Sequence, residues 1–410
     1  EQWGMRTILT SKVFLSKAKL EQEAGMVFLE DILKSVTGIA KLWGLLRARL
    51  APVASLVARR DPDAPATVLF SSGSTSLPKG IVLSHFNVVS NCDAVLQVFN
   101  VKPEDRVVGV IPFFHSFGFM ATIWLPLLAG CGVAFHPNPT EAQAVGDITA
   151  KYRGSILFTT STFAGNYARR CSKEQFATLR LVVAGAEKLR ATVQKAFQDA
   201  FGLSILEGYG CTELSPVVSI NLPDYQQQGY HQRATKEGSV GRPIPGTALR
   251  IVHPETMQPR SLGEEGLLLV KGPNVMQGYL GQPEKTAEAI EDGWYKTGDI
   301  AFIDDEGFLT ITDRLSRFTK IGGEMIPHGK VEEIIRGILG HENCAVTGIP
   351  DEKRGERLAV LYVDELPPSD LAKRLNEAEL PNLWIPKTEN LYRVAELPVL
   401  ATGKLDLRRL

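Results

Sequence analysis

The run "ATVLFSSGSTSLPKG", Ala66 to Gly80, sets an apolar segment directly against a cluster of hydroxyls and glycines that closes on a proline and a lysine. An apolar run of this kind reads as a buried strand, and the Ser/Gly/Thr cluster as the flexible loop that follows it. Such a loop can turn several backbone N–H groups toward one anion, with the lysine at its edge adding a compact positive charge. An ordinary surface turn has the same composition. The stretch alone leaves a phosphate loop and a turn equally open.

Working outward, short β-rich runs alternate with helical patterns. "RVVGVIPFF", "GSILFTT" and "LRLVVAGA" read as strands, while "SHFNVVSNCDAVLQVF" and "RATVQKAFQDAF" read as helices. This alternation predicts βαβ units and a parallel or mixed sheet covered by helices. Ligands bind at the carboxyl ends of such strands. Placing the loop after "ATVLF" at that kind of position moves its reading toward phosphate.

From Gly238 the texture changes to frequent turns and short strands, the pattern of a β-rich subdomain, and after "GFLTITDRLSRF" comes a compact α+β tail. The expected fold class is therefore α/β. A large N-terminal domain of helix-covered sheets carries a β-rich subdomain, and a small α+β C-terminal domain follows. The boundary falls near Asp313 to Ser316, giving domains of residues 1–313 and 314–410.

Composition narrows the function. A chain of 410 residues, 44% hydrophobic, exceeds what one core normally serves. With 45 basic against 46 acidic residues there is no bulk attraction to nucleic acid. Cys92, Cys131, Cys171, Cys211 and Cys344 stand far apart, without metal-ligand spacing, which fits a reducing cytoplasm. Between Arg106 and Glu141 there is no Asp, Glu, Lys or Arg, but prolines and glycines interrupt the run, so buried strands and helices are expected there rather than a membrane span. "KLWGLLRARLAPVASLVARR", Lys41 to Arg60, has two readings: a helix resting on an anionic membrane surface, or a surface helix covering the core, the account to which its long arginine stems point. The start, "EQWGMRTILTSKVFL", has no initiator methionine and no secretory pattern, which predicts a piece of something longer.

The loop lacks the G-K-[ST] ending of a Walker sequence. It resembles instead the phosphate loop of the acyl-adenylate-forming superfamily of AMP-binding enzymes. "IPFFHSFG" at Ile111, "VVAGAEKL" at Val182, "LEGYGCTE" at Leu206, "VGRPIPG" at Val240, "GYL" at Gly278, "WYKTGD" at Trp294, "TDRLSRFTKIGGEMI" at Thr312 and "LATGKLDL" at Leu400 follow in the superfamily's order. Each string is weak alone; the ordered set, reaching from Ser71 to the C-terminus, is specific. "TSTFAGNYAR", "ILEGYGCTE" and "KGPNVMQGYL" most resemble the acyl-ACP synthetase half of 2-acylglycerophosphoethanolamine acyltransferases. That likeness implies a missing N-terminal part holding the start of the adenylating domain, with a membrane acyltransferase module before it and a location at the inner face of a membrane.

The resemblance implies roles. A fatty acid carboxylate and the α-phosphate of ATP are both anions, so the site must supply cations and donors where charge accumulates. Ser72, Gly73, Ser74, Thr75 and Lys79 would hold the departing pyrophosphate; Ser76 stands where the superfamily has glycine, and its Cβ restricts the loop. Glu213 would hold Mg²⁺ and Thr212 the α-phosphate. Gly185, Ala186, Glu187 and Tyr209 would flank adenine, Asp299 would accept from the ribose, and Arg314 would donate to ribose or phosphate. Ser316 takes the hinge position. Lys404 would bridge carboxylate and α-phosphate in the adenylating step. Lys320, Gly322, Gly323 and Glu324 would face the thiol arm after the tail rotates. His115 would gate the acyl pocket, with Phe113, Phe114, Phe117 and Phe119 reading either as its lining or as core. The acceptor implied is the phosphopantetheine of acyl carrier protein, with coenzyme A as the alternative. A non-catalytic nucleotide- or acyl-binding module is a third reading.

Overall fold

The computed structural model describes residues 6–57, 61–71, 79–322, 324–351, 354–378, 380–398, 405 and 409–410. The chain forms two compact units, Glu1–Asp61 and Pro62–Leu410. In the first, strands Ile8–Thr10 and Met26–Phe28 pair in parallel around the helix Lys12–Ala18. Ser11 caps that helix, and Glu30 accepts from both the Ser11 hydroxyl and the Lys12 amide. Helices Leu29–Ser35 and Gly38–Leu50 follow and contain no buried residue. Of the stretch expected to lie down on a core, Lys41 to Arg60, the part up to Leu50 is corrected, since every residue of Gly38–Leu50 is exposed, while residues 58–60 lie outside the described residues.

The second unit is built on a seven-stranded sheet. Its order is Arg242–Pro243, Val217–Ile220, Leu206–Gly210, Leu181–Ala184, Ile156–Thr159, Arg106–Gly109, Gly132–Phe135. The last five strands are parallel, Val217–Ile220 runs against them, and Arg242–Pro243, antiparallel to Val217–Ile220, runs with them. Alternate residues explain the two layers. Val107, Ile156, Phe158, Leu181 and Val183 enter a core with Cys92, Val95, Phe117 and Met120, while Val108, Leu157, Val182 and Ala184 enter another with Tyr167, Phe176, Phe197 and Phe201. A parallel sheet covered on both faces needs such near-continuous apolar strands. The charge-free run from 106 to 141 supplies two of them and the short helical turns between, and among the described residues no helix is long and apolar enough to cross a membrane.

One carboxylate ties the amino ends of three neighbouring strands. Asp105, buried just before Arg106–Gly109, accepts from Ser155 Oγ at 2.7 Å, from Arg180 Nε at 2.9 Å and from the Lys102 amide at 2.8 Å. Ser155 and Arg180 each precede the next strands of the sheet.

The strand Pro65–Ser71 does not join this sheet. It pairs antiparallel with Lys79–Ser84, which pairs with Gly278–Tyr279. The expectation that this strand belongs to a parallel set is corrected: it runs antiparallel to the next strand, with Ser71 directly opposite Lys79, and residues 72–78 between them lie outside the described residues. Val68, Leu69 and Phe70 can satisfy either partner, because an apolar run reports burial and not the neighbour's direction.

The β-rich part is a sheet of Ala248–Val252, Gly266–Lys271, Trp294–Ile303 and Ile290–Glu291, with Leu309–Arg314 added beside Trp294–Ile303. Beyond it, Glu324–Pro327, Phe318–Ile321, Gly355–Tyr362 and Cys344–Asp351 form a further sheet, with Leu391–Arg393 parallel to Gly355–Tyr362. Ile326, Val331, Ile335, Val346, Leu371 and Leu375 pack helices His328–Leu339 and Pro368–Glu377 onto it as a core of its own. The overall class is the expected mixed α/β, with a large sheet-containing part and smaller sheets and helices toward the C-terminus.

Asp105 makes a pH-dependent contribution whose sign follows from its partners. Hydrogen bonding to Arg180, first among several lowering effects, brings its pKa down from 3.8 to about 2. The stabilisation is present above the unfolded value and is lost as pH falls toward the folded one, so Asp105→Asn is expected to cost about 2 kcal/mol near neutral pH. Urea unfolding should show that gap close between about pH 4 and pH 2; a gap independent of pH would contradict the tie.

Candidate active site

The strand Leu206–Gly210 leaves the large sheet and turns through Cys211 to the short helix Thr212–Leu214. The turn leaves no room at Gly210, where a Cβ would lie 1.9 Å from the Pro216 carbonyl oxygen. At its near end Tyr209 donates to Asp299 Oδ2 at 2.5 Å. Asp299 lies on Trp294–Ile303, and the neighbouring strand places Arg314 directly opposite, with Nε 2.9 Å from Asp299 Oδ1. Asp299 is only 3% exposed. Burial raises its pKa, and Arg314 and Tyr209 oppose that rise. A buried carboxylate between a phenol and a guanidinium is thus held at the carboxyl end of an interior strand of the large sheet, while Arg314 itself stays mostly open to solvent.

At the far end of the same turn, Thr212 donates from Oγ1 to Ser116 Oγ at 3.0 Å. Glu213 Oε1 accepts from Tyr279 OH at 3.2 Å, and the Lys79 ammonium sits 4.6 Å from the centre of the Tyr279 ring. The lysine that closes the Ser/Gly-rich loop is therefore joined through one tyrosine to the Glu213 carboxylate. Tyr279 belongs to the quoted "GYL", but nothing in the string states its role; Ser116 likewise lies inside "FHSFG" without being singled out. Burial first, then Glu213 and Asp299, raise the pKa of the Cys211 thiol well above its ordinary value, which disfavours the thiolate.

The structure brings Tyr209, Thr212, Glu213, Lys79, Asp299 and Arg314 into this one connected set. Gly185 lies at the end of Leu181–Ala184, where a Cβ would meet only ordinary contacts with Phe117 and the Gly208 carbonyl at 3.6 Å, so the fold itself does not enforce its small size. Ala186 takes a positive φ of 68°. Glu187 turns to the helix Ser161–Arg170, where Oε1 accepts from the Thr162 amide at 2.5 Å; its negative charge suits that helix start. His115 Nδ1 accepts from the Phe117 amide at 3.2 Å and caps a short helix. The four phenylalanines part company: Phe113 and Phe114 are exposed, Phe117 packs edge-on to Phe158 in the core, and Phe119 packs against Trp124.

Past Arg314 the chain is pinned on both sides of the exposed Ser316. Arg317 pairs with Glu332, which is buried, also meets Arg336 at 3.1 Å and accepts from the Val346 amide at 2.9 Å. The Lys320 ammonium is 2.5 Å from Glu255 Oε1, on the turn after Ala248–Val252, and so is engaged away from the Asp299 cluster. Gly322 has a positive φ of 59°, and Glu324 is exposed. Ser72, Gly73, Ser74, Thr75, Ser76, Gly323 and Lys404 lie outside the described residues.

Residues 5–280 match the model of a family described as "AMP-binding enzyme". The chain belongs to the AMP-binding enzyme family. Among its relatives are a probable 4-coumarate–CoA ligase of Dictyostelium discoideum, 31% identical over 85% of this chain and 63% of its own length, and a feruloyl-CoA synthase of Amycolatopsis, 33% identical over 86% and 72%. A long-chain-fatty-acid–CoA ligase of Bacillus subtilis is 30% identical over 85% and 62%. The chain thus spans under two thirds of the length of several of these relatives. ATP-bound MatB from Rhodopseudomonas palustris superposes with a TM-score of 0.78 at 25% identity, covering 98% of this chain and 78% of that one. MenE from Bacillus subtilis, in complex with an acyl-adenylate, shares the fold at TM-score 0.79 and 22% identity, covering 99% and 78%.

A second carboxylate on this AMP-binding chain gives the opposite pH signature to Asp105. Glu207, nine-tenths buried, accepts from the Leu189 amide at 2.8 Å, and burial brings its pKa up from 4.5 to about 7. The folded state then holds a proton that the unfolded chain releases, so stability is expected to fall as pH rises from 4.5 to 7 and to stay lower above that. Glu207→Gln, which keeps an acceptor for Leu189, should remove this dependence, gaining on the order of 3 kcal/mol at alkaline pH and nothing near pH 4. Denaturation midpoints across that range check it; a pH-independent difference would contradict it.

Proposed function

We propose that the chain activates a fatty acid with ATP through an acyl adenylate, releases pyrophosphate, and passes the acyl group to a thiol. The observation that carries this reading is the set joining Asp299, paired with Tyr209 and Arg314, to Thr212 and Glu213 on a single turn. Asp299 offers a charged acceptor for ribose hydroxyls, and the Tyr209 ring beside it a flat surface for a base. Arg314, exposed and fork-shaped, meets ribose or phosphate oxygens. Thr212 presents a hydroxyl to the α-phosphate, and Lys79 a cation to the departing phosphates.

Glu213 fits a magnesium ion. Such an ion takes one or two carboxylates and completes its shell with water and phosphate oxygens, so one glutamate suffices as the protein's ligand. Tyr279 orients that carboxylate by donating to one of its oxygens, which leaves the other open to the cation. When bound, the ion neutralises phosphate charge.

The reading extends to a division at residues 313 and 314, with the tail 314–410 pivoting at Ser316. One orientation would bring Lys404 to the carboxylate and the α-phosphate. The other would bring Lys320, Gly322, Gly323 and Glu324 to the thiol arm, which requires Lys320 to leave Glu255. Acyl carrier protein is the acceptor that the quoted strings favour; coenzyme A is the second reading, favoured by relatives named as CoA ligases. Gly185, Ala186 and Glu187 are proposed as the adenine strip, His115 as the acyl gate, and the cytoplasm as the compartment.

The test is fatty-acid-dependent ATP–pyrophosphate exchange over a ladder of chain lengths, followed by thioester assays with acyl carrier protein and coenzyme A side by side. Asp299→Asn is expected to reduce exchange by about tenfold to a hundredfold, the value of a charged hydrogen bond. Lys404→Ala should abolish exchange while thioester formation from supplied acyl adenylate changes far less; Lys320→Ala should show the reverse. Exchange with no chain length would sink the catalytic reading, product on coenzyme A alone would overturn the acyl-carrier-protein reading, and equal loss of both steps in both lysine variants would sink the pivot.

A further inference from the structure

The helix Gly38–Leu50 is an exposed element whose sequence is ordered around its axis. At 100° per residue, Leu42, Leu46, Ile39, Leu50 and Trp43 fall within an arc of about 100°, with Arg49 just beyond one edge of the stripe and Arg47 just beyond the other. The stripe is exposed and packs against none of the described residues: Ile39 is 74% exposed, Leu42 58%, Trp43 69%, Leu46 43% and Leu50 78%. Exposed Val53 and Val57 continue the apolar surface past Pro52. Single exposed apolar residues are ordinary, but a contiguous stripe of leucine, isoleucine and tryptophan is a binding surface.

Charge specifies the partner. From Ile32 to Arg60 the chain carries Lys34, Lys41, Arg47, Arg49, Arg59 and Arg60, and no Asp or Glu. A globular partner with an apolar groove would leave this uniform positive rim unmatched unless it were acidic throughout. A membrane leaflet containing anionic lipid matches both features at once, since the stripe enters the acyl boundary while the flanking arginines meet phosphates. At 13 residues the helix is about 20 Å long and cannot span a bilayer.

We propose that Gly38–Leu50 lies in the surface of an anionic membrane, with Ile39, Leu42, Trp43, Leu46 and Leu50 immersed and Arg47 and Arg49, at the two edges of the stripe, at the headgroups. The proposal is independent of the reaction at Asp299, because none of these residues belongs to that cluster. Co-sedimentation of the full chain with vesicles of phosphatidylcholine containing phosphatidylglycerol, against phosphatidylcholine alone, tests it. Binding is expected to the anionic vesicles, to weaken with added salt, and to drop more than tenfold in Leu46→Asp while far-UV circular dichroism is unchanged. Replacing Arg47 and Arg49 together by Gln should lower binding by about thirtyfold, the effect of two charges near the surface. Leu262→Asp, which alters another exposed leucine, should leave binding intact. Failure to bind either vesicle, equal binding to both, or a Leu46→Asp variant that turns an oligomer into a monomer in light scattering would each overturn the proposal, the last by showing that a second copy covers the stripe.

Discussion

A carboxylate taken out of water must be paired, and the pairing of Asp299 decides how the candidate site is built. Its two oxygens are met from opposite sides, by Tyr209 on the strand leaving the large sheet and by Arg314 on the last strand of the β-rich sheet. Neither partner is exchangeable without leaving a buried charge uncompensated. The contact therefore fixes where two sheets meet and, through the turn from Tyr209 to Glu213, where Thr212 and Glu213 stand. The same contact leaves Arg314 exposed, so a group that holds the architecture is also free to touch a ligand.

Around the proposed pivot the ion pairs differ in kind. Glu332 is buried and bound by two arginines and a backbone amide, which makes it part of the tail's own framework. Lys320–Glu255 and Lys330–Glu265 are exposed, and each such pair is worth about 0–1 kcal/mol. Strong contacts thus hold the tail together internally, whereas these two exposed pairs would give way at little cost and leave the Gly329 amide donating to Asp313 Oδ2 at 2.8 Å as a part-buried contact that a turn must also break. This distribution suits a tail that turns as a body about Ser316.

Much of this was legible in the sequence because it depends on local pattern. Apolar runs alternating with helical periodicity announced the parallel sheet, and "LEGYGCTE" and "WYKTGD" marked the stretches on which Tyr209, Thr212 and Asp299 now gather. What stayed hidden depends on partners remote in the chain. "ATVLF" satisfies a parallel or an antiparallel neighbour equally well, so its pairing with Lys79–Ser84 could not be read from it. Lys79 meets Tyr279 only because Gly278–Tyr279 joins the same small sheet, a contact 200 residues away in sequence. Glu187 and His115 each have a local backbone amide to receive, and whether a polar side chain caps a neighbour or faces a ligand is a matter of a few ångströms that composition does not encode. The helix Gly38–Leu50 shows the converse: its stripe was written in the sequence, but only its exposure separates a core-facing helix from a docking surface.

The most direct measurement is a crystal structure of the chain soaked with a non-hydrolysable acyl-adenylate mimic. The ribose hydroxyls are expected within hydrogen-bonding distance of Asp299, the base against Tyr209, and the phosphate mimic beside Thr212 and Arg314. A mimic bound elsewhere, with Asp299 still closed against Tyr209 and Arg314 and no contact to it, would contradict the central claim.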